Sequence, residues 1–312
     1  MSLFALIAAL LLEQLHPLSS RKYLFGCLSS YVLFFKHHFN AGQHRHGRIA
    51  WILAVLPLLC LIVWISWALH HTHPLLSWAF NVLVLYLTMG FRQFSHYFTD
   101  IHQALRAERL DEARRLLSEW RGVPAHELNA EELARVTIEE ALLASHRNVF
   151  GVIVWFVLFG MLGFGGAAGA LLYRLGQFLQ KHWGAEEEVE PGEFGKFAQQ
   201  AFYILEWLPI RLTAITFAIV GDFENTIYCW RTQAASWQDR DAGILLASGA
   251  GALGVRLGMP IPQDGLPLDR AELGVGDDAD ADFMQSTIGL VWRSVVFWLL
   301  LLLLLTLAHL LG

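Results

Sequence analysis

Apolar runs too long for the core of a small soluble domain constrain this chain before anything else does. They cover roughly 49–69, 75–91, 149–173 and 288–311, with a weaker run at 201–220. A helix needs about 20 apolar residues to cross the ~30 Å hydrocarbon layer, and in that layer only helices and closed barrels satisfy their own backbone groups. The runs predict an all-α, polytopic helical membrane protein with four spans, one weaker span and a short N-terminal helix. That last helix comes from LFALIAALLL at 3–12; with no preceding positive charge and no A-x-A pattern after it, it reads as retained rather than cleaved. Composition agrees, since 55% of the 312 residues are hydrophobic and only 16% are charged. The net charge of -6 belongs to particular loops and there is no basic tail, so the expected partner is the lipid bilayer and not nucleic acid. Cys27, Cys60 and Cys229 are scattered, which offers neither a disulfide framework nor a C-x-x-C metal site.

Charge then orients the chain. Arg21, Lys22, Lys36, Arg45 and Arg48 lie between Gln14 and Ala50 with no acid among them, which places that loop in the cytoplasm. The organisation that follows has N-terminal membrane helices and a basic cytoplasmic loop at 1–91, then a cytoplasmic helical hairpin at 92–148. Membrane helices with an acidic outer loop (Glu186, Glu187, Glu188, Glu190, Glu193) occupy 149–220, a cytoplasmic helix and loop segment 221–287, and a C-terminal membrane helix 288–312. This organisation predicts a multi-pass membrane protein, compatible with self-association and with a membrane or cytoplasmic protein partner. In the hairpin, Phe98, Ile101, Leu105, Ala113 and Leu117 recur at helical spacing, Gly122-Val123-Pro124-Ala125 interrupts, and Asn129 followed by Glu131 and Glu132 predicts a helix start. Residues 258–282, rich in Gly, Pro and Asp, read as a loop.

Several motifs have two readings. GFGGAAGALLYR at 163–174 fits G-x-G-x-x-A, but a dinucleotide site needs a strand before the glycines. An apolar helix stands there instead, so Gly165 and Gly169 are expected to let helix backbones approach closely. Glu206 and Arg211 flank Pro209 in the weaker span; intramembrane charges are functional candidates, and a proline kink could bring the two together as an ion pair or as the lining of a polar pocket. Arg174 and Arg293 stand at span ends, where long side chains snorkel. Glu139 and Glu140 could hold Mg²⁺ or act as a base, although neighbours on a helix point about 100° apart. The clusters His37, His38, His44, His46 and His70, His71, His73 lack a local Cys, Asp or Glu to complete a metal site, so no metal is expected there.

Longer stretches resemble a known group, the CobD/CbiB and AmpE membrane protein family. In LTMGFRQFSHYFTDIHQALRAERLDEARRLLSEWRG, the start at Arg92 and the Ala-Arg-Arg-x-Leu step resemble the family hairpin. GGAAGALLYRL is similar to its G-G-x-x-G-A-x-x-Y-R segment, and AGALGVRLG at 250–258 followed by RAELGVG resembles the C-terminal part of CobD/CbiB. The CobD/CbiB resemblance implies an ATP-dependent, Mg²⁺-requiring amide ligase that attaches the aminopropanol arm to adenosylcobyric acid. Three polar stretches of those enzymes are replaced here. Gly122-Val123-Pro124-Ala125 stands for G-R-D-T, His146-Arg147-Asn148-Val149-Phe150-Gly151 for E-N-x-x-D-G, and Gln177-Phe178-Leu179-Gln180 for N-T-L-D. G-V-P-A, and LEWLPIRL at 205–212 with Glu206, Pro209 and Arg211, resemble AmpE, which is associated with cell-wall and β-lactamase signalling. The leading expectation is therefore an AmpE-like, non-catalytic regulator, sensor or scaffold whose pocket uses Glu206, Arg211, Arg92 and Arg174. The alternative is the ligase itself, with ATP and Mg²⁺ and with Glu139 and Glu140 as catalytic candidates; a transporter is a third class that rests on the buried charges alone.

Overall fold

Apolar length sets where helices can stand, and polar or glycine positions set where they stop. The computed structural model describes residues 2–15, 21–40, 42–184, 193–263 and 265–311. In chain order the helices begin with α1 (Ser2–Leu15), α2 (Arg21–Phe39), α3 (His44–Thr72) and α4 (Pro74–Thr88). Next come α5 (Phe91–Arg106), α6 (Leu110–Arg121), α7 (Ala130–Ser145), α8 (Gly151–Met161), α9 (Gly166–Trp183) and α10 (Phe194–Val220). The series ends with α11 (Phe223–Thr232), α12 (Arg240–Leu253) and α13 (Ala281–Leu311). A π-helical turn, His146–Phe150, joins α7 to α8 without a break. The acidic cluster Glu186, Glu187, Glu188 and Glu190 lies outside the described residues.

Among the described residues four helices are long and apolar enough to cross a membrane: His44–Thr72, Ala130–Met161, Phe194–Val220 and Ala281–Ala308. All-α, polytopic architecture is thus as the apolar runs predict, but two runs are divided differently. The run at 75–91 yields only the 15 residues of α4, about 22 Å at 1.5 Å per residue, short of the hydrocarbon thickness. Met89 turns extended after Thr88 and ends it. The run at 149–173 becomes two helices, because Gly163 and Gly165 adopt φ of 81° and 87° and reverse the chain between α8 and α9. Hydropathy does not see this reversal, since Leu162 and Phe164 are as apolar as their neighbours.

The chain forms two compact units, one of residues 1–90 and 150–209 and one of residues 91–149 and 210–312. In the first, α8 and α9 lie antiparallel, with Trp155 opposite Gly169 and Gly151 opposite Tyr173. A Cβ on Gly169 would stand 2.0 Å from the Trp155 carbonyl oxygen, and one on Gly151 would stand 2.3 Å from the Tyr173 ring. Only hydrogen fits at either position. Val32, Ala50, Ala54, Val55, Leu172, Leu179, Trp183, Phe194 and Ala198 form a dry core beside this pair. On α3, Leu56, Leu61, Trp64 and Trp67 are exposed, an apolar surface of the kind a bilayer covers.

The second unit starts with α5 and α6. The periodic segment at 92–121 is broken at Ala107–Arg109, where Glu108 takes φ of 57°, so the hairpin closes earlier than the sequence spacing indicates. Asn129 caps α7: its side chain accepts from the Glu132 N–H while the Glu132 carboxylate accepts from the Asn129 N–H, a reciprocal capping box. After α12, Gly254 ends the helix in the left-handed region. The expected loop at 258–282 then contains short strands: β1 (Val255–Gly258), β2 (Ile261–Gln263), β3 (Leu266–Leu268), β4 (Glu272–Leu273) and β5 (Asp277–Asp278). β1 lies between β4, antiparallel, and β5, parallel, while β2 and β3 form a hairpin. Strands of two to four residues are too short for period-two alternation to register in the sequence.

Gly169→Leu is expected to destabilise the protein by about 1–3 kcal/mol or to block folding, because the new side chain must displace the Trp155 backbone. Gly289→Ala, where an added Cβ meets nothing within 4 Å, is expected to be neutral or slightly stabilising. Melting temperatures of the two variants in the same detergent check this.

Candidate functional site

Polar side chains buried inside an otherwise apolar unit have to be satisfied, and following their partners shows how each is used. In the second unit Glu139 projects from α7 with 5% exposure. Its Oε2 accepts from Arg270 Nη1 at 2.7 Å, and its Oε1 accepts from Arg270 Nη2 at 3.3 Å and from the Gly258 N–H at 2.8 Å. Arg270 also donates to the carbonyls of Gly258, at 2.9 Å, and Met259, at 3.1 Å. Met259 itself has φ of 61°. The bidentate pair therefore holds the β1–β2 turn in a left-handed conformation that a non-glycine residue resists. Glu140 is half-buried on a different face of α7, with Arg121 and Arg147 as its nearby positive charges. The structure does not bring the two adjacent carboxylates to one point.

A second polar centre in the same unit joins α10, α12 and the end of α7. Asp241 is 3% exposed in the first turn of α12, where Asp239 is the N-cap and accepts from the Asp241 and Ala242 N–H groups. The partial positive charge of a helix N-terminus favours a carboxylate there. Arg211 Nη1, from α10, lies 4.0 Å from Asp241 Oδ1. Two residues along α10, Thr213 Oγ1 is 3.0 Å from His146 Nδ1, and His146 is 1% exposed. His146 opens the π-helical turn and is followed by Arg147 and Asn148; a π-turn of this sort often re-aims side chains at functional sites. A half-buried guanidinium beside a buried carboxylate and a buried imidazole in one unit can hold an anionic group and accept or donate a proton.

Sequence reasoning picked out Arg211 but missed Asp241, His146 and Thr213. One signal was available: α12, RDAGILLASGAGAL, has no polar face, so an acid in its first turn has to be buried. The pairing of His146 with Thr213 spans 67 residues and left no local trace.

In the first unit Glu206 Oε1 accepts from Tyr173 Oη at 3.5 Å. Arg174 departs from the snorkelling expectation: it is 5% exposed and donates from Nε to the Thr88 carbonyl at 2.8 Å and from Nη1 to Gln177 Oε1 at 2.5 Å. The physical reason is that Thr88 ends α4, whose last carbonyls have no intrahelical donor, and Arg174 supplies one. Gln177, which stands where the ligase pattern is polar, is the residue that steadies Arg174. Arg92 Nε, in the second unit, donates to His96 Nε2 at 2.9 Å, one turn along α5. Gly165 is the residue before α9 and Gly169 lies within it, so GFGGAA is a turn between two helices and not the strand-to-helix turn of a dinucleotide loop.

Among the described residues no three His, Cys, Asp or Glu side chains converge as a metal site. Mg²⁺ in ATP-dependent reactions is held largely by substrate phosphates and water with one or two carboxylates, and no residue of this chain is assigned to it. Cys229 is buried in α11, and burial pushes its thiol up, away from the reactive thiolate.

A family model described as CobD/Cbib protein matches residues 4–291. The chain is 36% identical over 315 residues to Cobalamin biosynthesis protein CobD of Stutzerimonas stutzeri, a match covering 97% of this chain and 98% of that one. It is 34% identical over 251 residues to Cobalamin biosynthesis protein CobD of Chromobacterium violaceum, covering 80% and 78%. With Cobalamin biosynthesis protein CbiB of Salmonella typhimurium the identity is 26% over 265 residues, covering 82% and 80%. No solved structure matches the chain. These near full-length matches overturn the expectation of an AmpE-like, non-catalytic regulator. The three replaced stretches had carried that expectation, but they amount to a few residues against a relationship that runs from end to end.

Arg270→Ala leaves Glu139 buried without its guanidinium partner and is expected to cost about 3–5 kcal/mol, while Glu139→Met with Arg270→Met is expected to recover much of that loss. Denaturant unfolding of the single and double variants gives the coupling. Cys229 is expected to resist a maleimide at neutral pH in the folded protein and to react once the protein is denatured.

Proposed function

The chain belongs to the CobD/CbiB family, and on that premise we propose that it is an ATP-dependent amide ligase of cobalamin biosynthesis, joining an aminopropanol donor to adenosylcobyric acid. The observation that carries the proposal is the 36% identity covering 97% of this chain and 98% of a relative named Cobalamin biosynthesis protein CobD. An isolated shared domain does not match in that way. Its setting in this reading is the inner membrane of a bacterium, with the arginine-rich α5–α6 hairpin on the cytoplasmic side where ATP is available.

The chemistry asks for three things. The corrinoid carboxylate takes the γ-phosphoryl group of ATP, giving an acyl phosphate and ADP; the amine then attacks the acyl carbon, inorganic phosphate leaves, and the amine loses a proton. A cationic side chain must hold the carboxylate or phosphate, a base must take the proton, and water must be kept from the acyl phosphate. Arg211 is suited to the first task. His146, with Nδ1 beside the Thr213 hydroxyl, is suited to the second, and Asp241 opposite Arg211 fixes the guanidinium. Burial of His146 and Asp241 supports the third. The carboxylates lost at 122–125 and 146–151 are on this account replaced in role by His146, which opens the second stretch, and by Asp241 of α12 with Arg211 of α10.

Expression of the chain in a bacterium deleted for its own CobD/CbiB gene is expected to restore cobalamin synthesis, and purified protein is expected to release ADP and phosphate only with both co-substrates. Absence of both effects from folded, membrane-inserted protein overturns the proposal. His146→Ala and Asp241→Asn are each expected to lower the ligation rate by about 10²-fold or more without loss of insertion.

A further inference from the structure

Outside the polar centre of α10 and α12, the second unit has a cavity of about 460 Å³ lined by Ser236, Trp237, Gln238, Leu268, Asp269 and Arg270. That volume falls within the range of small-molecule sites. Its base is a tryptophan held in place on several sides. A Cβ on Gly243 would stand 2.8 Å from the Trp237 Cβ, and one on Gly258 would stand 3.1 Å from the far edge of its indole ring, so the side chain packs at its root against one glycine and at its ring edge against another. The Arg270 guanidinium lies 5.5 Å from the ring centroid. Arg270 is itself fixed by the Glu139 carboxylate and the carbonyls of Gly258 and Met259. Trp237 therefore has one face under the Arg270 guanidinium and lines the cavity with a ring whose orientation is set before any ligand arrives.

Charge narrows the ligand class. Arg270 is neutralised by Glu139 at 2.7 Å, so the net charge of the lining comes from the exposed Asp269. A phosphate inside the cavity would meet that carboxylate, whereas vicinal hydroxyls would donate to it, as the ribose diol does to an acid in dinucleotide sites. The exposed Gln238 amide carries one donor and one acceptor side, the complement of the N6 and N7 edge of adenine. An aromatic platform, a carboxylate with no ion pair among the described residues and an amide together describe a purine nucleoside with any phosphates directed outward.

We propose that this cavity seats an adenosine group, its base on Trp237 and its ribose diol on Asp269. The inference rests on the proposed ligase function only for the source of that group, since both ATP and the adenosyl arm of the corrinoid carry one.

The test begins with direct binding of adenosine to the full-length protein in nanodiscs, which does not depend on ligation. Trp237→Leu is expected to weaken binding by about tenfold or more, and Trp237→Phe to restore most of it. Asp269→Asn is expected to weaken adenosine binding and to abolish the preference of the wild type for adenosine over 2′-deoxyadenosine. Unchanged adenosine affinity in Trp237→Leu and Asp269→Asn, both shown folded by melting temperature, overturns the proposal even if ligation is robust. Adenosine binding with the stated dependence but no ligation leaves the cavity assigned and sinks the ligase reading instead. Steady-state ligation by Trp237→Leu separates the sources: a raised KM for ATP alone assigns the nucleotide, and a raised KM for the corrinoid alone assigns the adenosyl arm. A rise in neither contradicts the inference.

Discussion

A backbone N–H or C=O without a partner in hydrocarbon costs several kcal/mol, and this cost shapes the chain at every level. It forces the apolar runs into helices. It also makes each helix end a problem wherever water cannot reach it, because four carbonyls or four amides are left over. The structure answers with side chains. At the buried end of α4 Arg174 donates to the last carbonyl; at exposed helix starts side chains take the place of water, Asn129 and Glu132 closing α7 and Asp222, Asp239 and Asp280 accepting from the first amides of α11, α12 and α13.

Buried charge follows from the same constraint. Glu139 is tolerated inside the second unit because Arg270 and the Gly258 amide occupy both its oxygens, and the strained Met259 turn is tolerated because Arg270 occupies its carbonyl. Asp241 is placed where the α12 N-terminus and Arg211 both favour its anion. Residues that solve a packing problem thereby become chemically useful: a carboxylate and an imidazole buried in fixed places beside a half-buried guanidinium can bind and transfer charge with little reorganisation.

Much of this was legible beforehand, and the exceptions have physical causes. Asn129 could be read as a cap because a short polar side chain before two glutamates and an apolar run has one economical use. The helix break at 162–165 could not be read from hydropathy, since the reversal depends on the positive φ of Gly163 and Gly165 within a run that stays apolar. Gly169 invited both a nucleotide reading and a packing reading, and what separates them is the helix α8 in front of it, with the Trp155 carbonyl where a side chain would go. Glu139 and Glu140 looked alike in sequence; one is tied to Arg270 and the other faces elsewhere, because consecutive helical residues diverge by about 100°. The regulator reading failed for a different reason. It weighed three short replaced stretches above the whole, although Asp241 can supply polar chemistry from elsewhere in the fold and His146 from within a replaced stretch.

By itself the sequence determined the class of solvent this protein lives in, the helical character that solvent imposes, the cap of α7 and the frame of its family, since each depends on local composition or short-range spacing. Only the tertiary structure decided which charges are clamped and which stand ready for chemistry. The partners of Glu139, Asp241, His146 and Trp237 come from 30 to 131 residues away in the chain, and no local pattern encodes a contact that exists only after the helices have packed.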